Sequence, residues 1–416
     1  VFLNNIRLFS LLVCFLAAFD FGTAHSQLQV TEFLPKGYVR DGSISYRSQI
    51  QMAIDAAVEA GLTLRFPAMT IAADQEGWKL ASKASLDMRG TTFLLPESCD
   101  RDGAVFAGKD VQDITMIGGE IIGRNDAWKD GVNIRGLHFS GLSARLRVRE
   151  MSFKNLSSNG IGLFGSEEAM IHDVWIEDVI VENCCKRYPD YLSKEKSESG
   201  SVREDQGDVA FYFVDGFRVH GCRFERSRSD GTHFYRSKNG QISDNRIYLA
   251  KMGGYFLEQC ENVIGRGNVI LENGSRGVTI ERGSYHCVFS DNIVRQSGRE
   301  GLWAPDCVGL IVTGNEFDQN GRKPNGDGER YTWNANITIN EAFKEPTHTP
   351  TQDYLISGNV IRTSSDQIAA IRVNAVAETR NIVIRGNVLL GENRQILVEG
   401  DESQHVSLSE NSFESR

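Results

Sequence analysis

Short runs of alternating apolar and polar residues, separated by turn residues, recur from about residue 80 to the end of the chain. Gly277-Val278-Thr279-Ile280-Glu281 and Val288-Phe289-Ser290 are typical. A period of two marks β-strands, because successive side chains leave a strand on opposite faces. One stretch upstream differs. Ile50, Ile54, Ala57 and Val58 fall on one helical face, Ser48 stands where an N-cap would, and Gly61 follows. That pattern predicts a single helix over 49–60.

The strand-rich part repeats. The segments HGCRF, SDNRI, GRGNV, SDNIV, TGNEF, SGNVI, RGNVL and SENSF align on Cys222, Asn245, Asn268, Asn292, Asn315, Asn359, Asn387 and Asn411, at steps of 23, 23, 24, 23, 44, 28 and 24 residues. Val174, Met151 and Gly119 extend the series upstream at steps of 48, 23 and 32. A unit near 23 residues holds three short strands and three turns, so the fold class is all-β. The arrangement expected is a right-handed parallel β-helix solenoid of about eleven coils, each coil stacked about 4.8 Å from the last. Asn at one turn of successive coils then forms a hydrogen-bonded ladder inside the solenoid. The helix would close the N-terminal end, which otherwise exposes apolar interior and unpaired strand edges.

Composition narrows this further. With 416 residues, 40% hydrophobic and 24% charged, the chain can bury a large core, and 41 Gly against 8 Pro suits many tight turns. A net charge of −10 argues against a nucleic-acid partner. Residues 1–26 read as a secretory signal: Arg7 is followed by the apolar run Leu8 to Phe19, too short to span a bilayer, and cleavage is expected after Ser26. Residues 27–416 then form one β-helix domain, secreted or periplasmic, with no stable membrane insertion. Seven cysteines remain after cleavage, an odd number, and they read as buried apolar thiols. Cys260 and Cys307 share a column two coils apart, about 10 Å, too far for a disulfide.

The run DGSISYRSQIQMAIDAAVEAGLTLRFPAMTI at residues 41–71 resembles the opening of pectate-lyase-like (pectin lyase fold) proteins, in which an Asp-Gly turn and a short helix lead into a Phe-Pro-Ala strand. GGEIIGR at 118–124 and the coils NGIGLFGS and RGVTIERGS are similar to the same superfamily. The resemblance covers Asp41 to the C-terminus and implies a right-handed parallel β-helix. It leaves the reaction open, since the superfamily includes lyases, hydrolases, epimerases and tailspikes acting on polysaccharides. The paired-Asp motif of polygalacturonases and the Asp-Pro-His motif of mannuronan epimerases are missing here.

Insertions at 125–130, 186–207, 321–333 and 362–367 all fall between the Asn-ladder turn and the next Gly-led strand, so they emerge from one corner and can wall a groove. In register, the Gly-led strands present His233, Tyr235, Glu258 and Glu281 as candidate catalytic residues. Arg135, Tyr212, Arg236, Gln259, Arg282, Trp303 and Asp306 are candidate substrate-binding residues on the same strip. Asp205, Asp208 and Asp230 at its mouth suit Ca²⁺, or are simply turn residues.

Two chemistries fit. In a polysaccharide lyase or epimerase, Arg236, Gln259 or Arg282 neutralises a uronate carboxylate and acidifies the neighbouring carbon, whose proton His233 or Tyr235 removes. In a glycoside hydrolase, Glu258 and Glu281 on adjacent coils form a retaining pair, or Asp306 completes an inverting one. The same charges also read as surface ion pairs, and a non-catalytic glycan-binding solenoid stays open. The partner expected is a polysaccharide, preferentially anionic. Oligomeric state is left open.

Overall fold

The computed structural model describes residues 27–129, 131–185, 206–322, 335–341 and 349–413. The 23-residue unit is visible directly. One coil runs Val214–His220, Arg223–Glu225 and Thr232–Tyr235; the next runs Lys238–Ser243, Arg246–Tyr248 and Tyr255–Glu258. Each strand pairs in parallel with its counterpart one coil on, which gives three long sheets. Sheet A has fourteen strands, from Gln27–Gln29 to Val406–Ser409. Sheets B and C have twelve each, from Thr70–Ala72 to Val388–Gly391 and from Trp78–Lys79 to Ile396–Glu399. The first full coil starts at Thr63, not near residue 80, so the stack exceeds eleven coils by one. The repeat series, which begins at Gly119, does not reach back to it.

Alternating residues point inward and merge into one core, with Phe93, Phe106, Phe139, Phe153, Phe211, Phe224, Phe234 and Phe289 fully buried along the axis. The helix, α1, spans Arg47–Ala60 and buries Ile50, Ala53, Ile54 and Ala57 in that core. Tyr46 takes the N-cap position without a side-chain cap; Ser48 lies inside the first turn, so the expected Ser cap is not formed. Gly61 ends the helix at φ 65°, a left-handed conformation that Gly adopts without a Cβ penalty. The Trp78 indole N–H donates to the Arg47 carbonyl at 3.1 Å and ties α1 to the first coil.

The ladder forms at the corner between sheets A and B. Asn245, Asn268, Asn292, Asn315, Asn359 and Asn387 each donate from Nδ2 to Oδ1 of the Asn one coil on, at 2.9–3.0 Å. Those Oδ1 atoms also accept the preceding coil's backbone N–H, so the buried amides are satisfied on both sides. Cys222 stands at the head of the column, its N–H donating to Asn245 Oδ1. All seven cysteines among the described residues are free and buried. A second polar column, absent from the repeat alignment, lines the corner between sheets B and C: Asn320 Nδ2 donates to Asn336 Oδ1, and Asn273 Oδ1 accepts the Ala250 N–H. This corner carries all four insertions, as the flanking strands require. Residues 1–26, with the expected cleavage site, lie outside the described residues. Among those described, no helix is long and apolar enough to cross a membrane.

Candidate functional site

The outer face of sheet C carries the expected strip, and its pairing fixes two columns. One column reads Phe164, Tyr212, Tyr235, Glu258, Glu281 on five successive strands. The other holds Gly162, Ala210 and His233 and, further on, Thr279 and Trp303. Much of the strip is covered. Val209–Tyr212 and Val278–Glu281 are buried at every residue, so both faces of the sheet are covered here.

His233 is the clearest correction. Its side chain leaves the sheet on the outer face but is only 1% exposed. Tyr212 stacks on it with 17° between the rings, and Phe256 lies 4.4 Å away on the other side. Tyr212 is itself buried, so it forms a floor and is not a substrate contact. His233 Nε2 lies 3.6 Å from Glu258 Oε2, and Nδ1 lies 3.8 Å from Asp230 Oδ2. Burial works against a charge on this imidazole, but the two carboxylates outweigh it and hold its pKa above the usual value. The imidazole is thus covered by two rings and flanked by two carboxylates.

Glu258 passes this charge order outward. Arg282 Nη1 donates to Glu258 Oε1 at 2.8 Å, and Arg282 Nε lies 3.5 Å from Glu281 Oε1. Both carboxylates are buried, so these are enclosed ion pairs and not the surface pairs that the charge pattern allowed. Tyr235 is the half-buried member of the column. Burial raises its pKa, and the nearby Arg236 and Arg282 do not offset this, so it keeps its phenolic proton at neutral pH. Arg236 Nε donates to Gln259 Oε1 at 2.7 Å, and its guanidinium lies 5.4 Å over the Tyr235 ring.

Two depressions flank this column. A cleft of about 220 Å³ is lined by Arg276, Glu281, Arg282 and Trp303, together with Gln206 and Asp230. A second, of about 480 Å³, is lined by Arg236, Lys238, Gln259, Arg282 and Glu167. Arg282 borders both.

Trp303 is not an open stacking platform. It is 8% exposed, its N–H donates to Asn340 Oδ1 at 2.7 Å, and the Arg276 guanidinium covers its ring at 3.7 Å. Asp306 is fully buried in a turn at φ 52°, its backbone N–H donating to Thr351 Oγ1, and lies outside both depressions. Arg135 stands three coils away, where Nε donates to Asn159 Oδ1 and the guanidinium covers Phe164.

Of the three Asp residues expected to hold Ca²⁺, two lie within the described residues. Asp205 lies outside the described residues. Asp208 is fully buried, accepts the Cys185 thiol, and is pushed well above the usual carboxylate range by that burial. Asp230 faces His233 and accepts the Gly253 N–H at 2.8 Å. Among the described residues no group of three His, Cys, Asp or Glu side chains is placed to hold a metal. The two described Asp residues therefore do not fit the expected Ca²⁺ site.

Two residues escaped the sequence reading. Arg276 and Glu300 stand immediately before Gly277 and Gly301, in one register column with Asp230 and Gly253. Glu300 is fully buried, 3.3 Å from Arg276 Nε and 3.9 Å from Arg299 Nε. Burial pushes its pKa up to about 7 against the pull of both arginines. Reading each strand from its leading Gly inward passed over the residue in front, although the register repeats there too.

No curated protein matches the chain in sequence. Solved structures similar to it include the A-module of mannuronan C-5 epimerase AlgE6 from Azotobacter vinelandii, at TM-score 0.61 and 17% identity, covering 93% of this chain and 99% of that one. The Dettilon tailspike protein superposes at TM-score 0.62 and 14% identity over 90% of this chain and 68% of its own. PfbA, a surface adhesin of Streptococcus pneumoniae, does so at 0.58 and 16%, over 93% and 91%. At these identities the likeness is one of fold. The family model for the right-handed beta helix region matches residues 121–342, more than half of the sequence, and its fold is the one the three sheets build. The chain belongs to the right-handed parallel β-helix family.

Proposed function

We propose that the protein is a secreted or periplasmic enzyme that acts on an anionic, uronate-bearing polysaccharide by abstracting the proton next to a sugar carboxylate. The observation that carries this reading is Arg282, a guanidinium shared by two adjoining depressions and flanked by Glu281 in one and by Arg236 and Lys238 in the other. A uronate carboxylate beside Arg282 loses much of its negative charge, which makes the adjacent C–H more acidic. Glu281 lines the cleft and takes that proton. Tyr235, which keeps its own proton, delivers it to the leaving glycosidic oxygen as the C–O bond breaks and a C=C bond forms. Return of a proton to the opposite face of the same carbon gives epimerisation instead. His233 acts through Glu258 and is a positioning residue. A mannuronan epimerase among the structural neighbours is compatible with this chemistry on this fold.

A retaining hydrolase remains the second reading, because Glu258 and Glu281 face each other in register on adjacent strands, about 5 Å apart at Cα. It is less favoured, since Glu258 turns toward His233 and Arg282 and does not line the cleft with Glu281. The test is incubation of the purified protein with a panel of uronate polysaccharides, following ultraviolet absorbance of unsaturated ends, reducing ends and the polymer's proton NMR spectrum. Absorbance, or altered stereochemistry without scission, supports the proposal. Reducing ends without absorbance move the assignment to the hydrolase, and silence in all three leaves a glycan-binding solenoid.

A further inference from the structure

Arg276 lies at the opposite end of the strand Val278–Glu281 from Arg282, yet both line the same cleft. Its guanidinium is held on two sides. The Trp303 ring lies 3.7 Å from its central carbon, and the buried Glu300 carboxylate lies 3.3 Å from Nε. Trp303 is in turn fixed by Asn340. Glu300 is expensive where it stands: neither oxygen makes a hydrogen bond of good geometry, and both are sealed from water. Replacing the whole Arg276–Glu300 pair by apolar side chains of similar volume would be cheaper for folding. What Glu300 supplies is orientation, because it holds the Arg276 guanidinium over the Trp303 ring at the cleft wall.

We propose that Arg276 is a second anion-recognising arm of the cleft, positioned by Glu300 and Trp303, so that the polysaccharide presents acidic groups on neighbouring residues to Arg276 and Arg282 together. This rests on the reading that the cleft takes an anionic polysaccharide, and it narrows that class to chains with closely spaced acidic units. A polymer in which charged residues are separated by long neutral stretches satisfies only one arm. Glu281 lines the same cleft as the two guanidinium groups, so a chain held by both passes beside its carboxylate.

The test measures binding by calorimetry in a Tyr235→Phe background, which stops turnover. The probes are a single uronate and a tetrasaccharide of uronates. Arg276→Gln is expected to weaken tetrasaccharide binding about tenfold, equivalent to about 1.4 kcal/mol, and to leave the single uronate unchanged. Arg282→Gln is expected to weaken both. Glu300→Gln should give a smaller loss, again confined to the tetrasaccharide, with the rest of the fold intact by circular dichroism. Where Arg276→Gln strands the buried Glu300 and misfolds, the paired variant Arg276→Gln/Glu300→Gln removes both charges at similar volume and is expected to show the same tenfold loss. Wild-type tetrasaccharide affinity without Arg276, alongside a loss in Arg282→Gln, overturns the second arm and leaves the functional reading standing. Wild-type affinity in Arg282→Gln as well overturns that reading too.

Discussion

Replacing Arg282 with Gln removes a cation that pairs with two buried carboxylates. Glu258 and Glu281 sit on adjacent strands in register, with side chains 9% and 4% exposed. Two like charges about 5 Å apart in an effective dielectric of about 20 repel by roughly 3 kcal/mol. The 2.8 Å hydrogen bond from Arg282 to Glu258 is also lost, a further 1.5–3 kcal/mol or so for a charged pair. Arg282 is itself 30% exposed, and water entering the gap reduces both terms, so the expected net loss is about 3 kcal/mol. Urea denaturation at pH 7, read by tryptophan fluorescence and circular dichroism, measures it. The double variant Arg282→Gln/Glu258→Gln leaves one carboxylate in place of two and should recover about half of the loss. A cost below about 0.5 kcal/mol for the single variant, or no recovery in the double, would refute the view that these charges form one enclosed network.

Tyr235→Phe should lower kcat by about a hundredfold or more with little change in KM, because it removes a proton donor and leaves the Arg282 clamp intact; steady-state kinetics on a cleaved or epimerised uronate polymer decides this. Glu300 has a folded pKa of about 7 against an ordinary 4.5, so its favourable contribution is complete below the unfolded value and is lost as pH rises through about 7. Glu300→Gln should therefore flatten the pH dependence of stability across that window and raise stability above it by up to about 3 kcal/mol, as denaturation midpoints from pH 4 to pH 8 will show. His233, also raised, obeys the same sign: its contribution fades as pH rises above the ordinary imidazole value, so His233→Gln should cost more at pH 5.5 than at pH 8.5. Asn292→Leu breaks donations to Gly265 O and Asn315 Oδ1 and strands the Asn268 N–H; a loss of about 2–4 kcal/mol is expected on denaturation, with the site's chemistry unaffected once folded.

The fold was legible because the chain states it many times. Each coil repeats the same alternation and, from Asn245 onward, the same buried Asn, so errors in any one unit average out. The series runs through Cys222, Val174, Met151 and Gly119 without that Asn, but not into the coils from Thr63 and Ser85. The column Tyr212, Tyr235, Glu258, Glu281 followed from period-two alternation and parallel pairing alone. What alternation cannot report is whether an outward side chain meets solvent. His233, Tyr212 and Trp303 all leave the sheet on the outer face, yet neighbouring rings and guanidinium groups cover them. Nor does sequence spacing tell Asp208, folded against the Cys185 thiol, from Asp230, which reaches the site. Both look like turn residues beside a Gly. Arg276 and Glu300 were hidden for a related reason, since each precedes the strand that defines its coil.

In the proposed reaction a proton leaves the carbon beside a sugar carboxylate held by Arg282. The most direct measurement is to incubate the protein with a uronate polymer in deuterated water and follow that carbon's proton by NMR. The proton signal is expected to disappear at the rate of product formation, with deuterium at that carbon in an epimerised product or a double bond there after elimination, and Arg282→Gln is expected to abolish the loss. Chain scission with that proton fully retained in every product would contradict it.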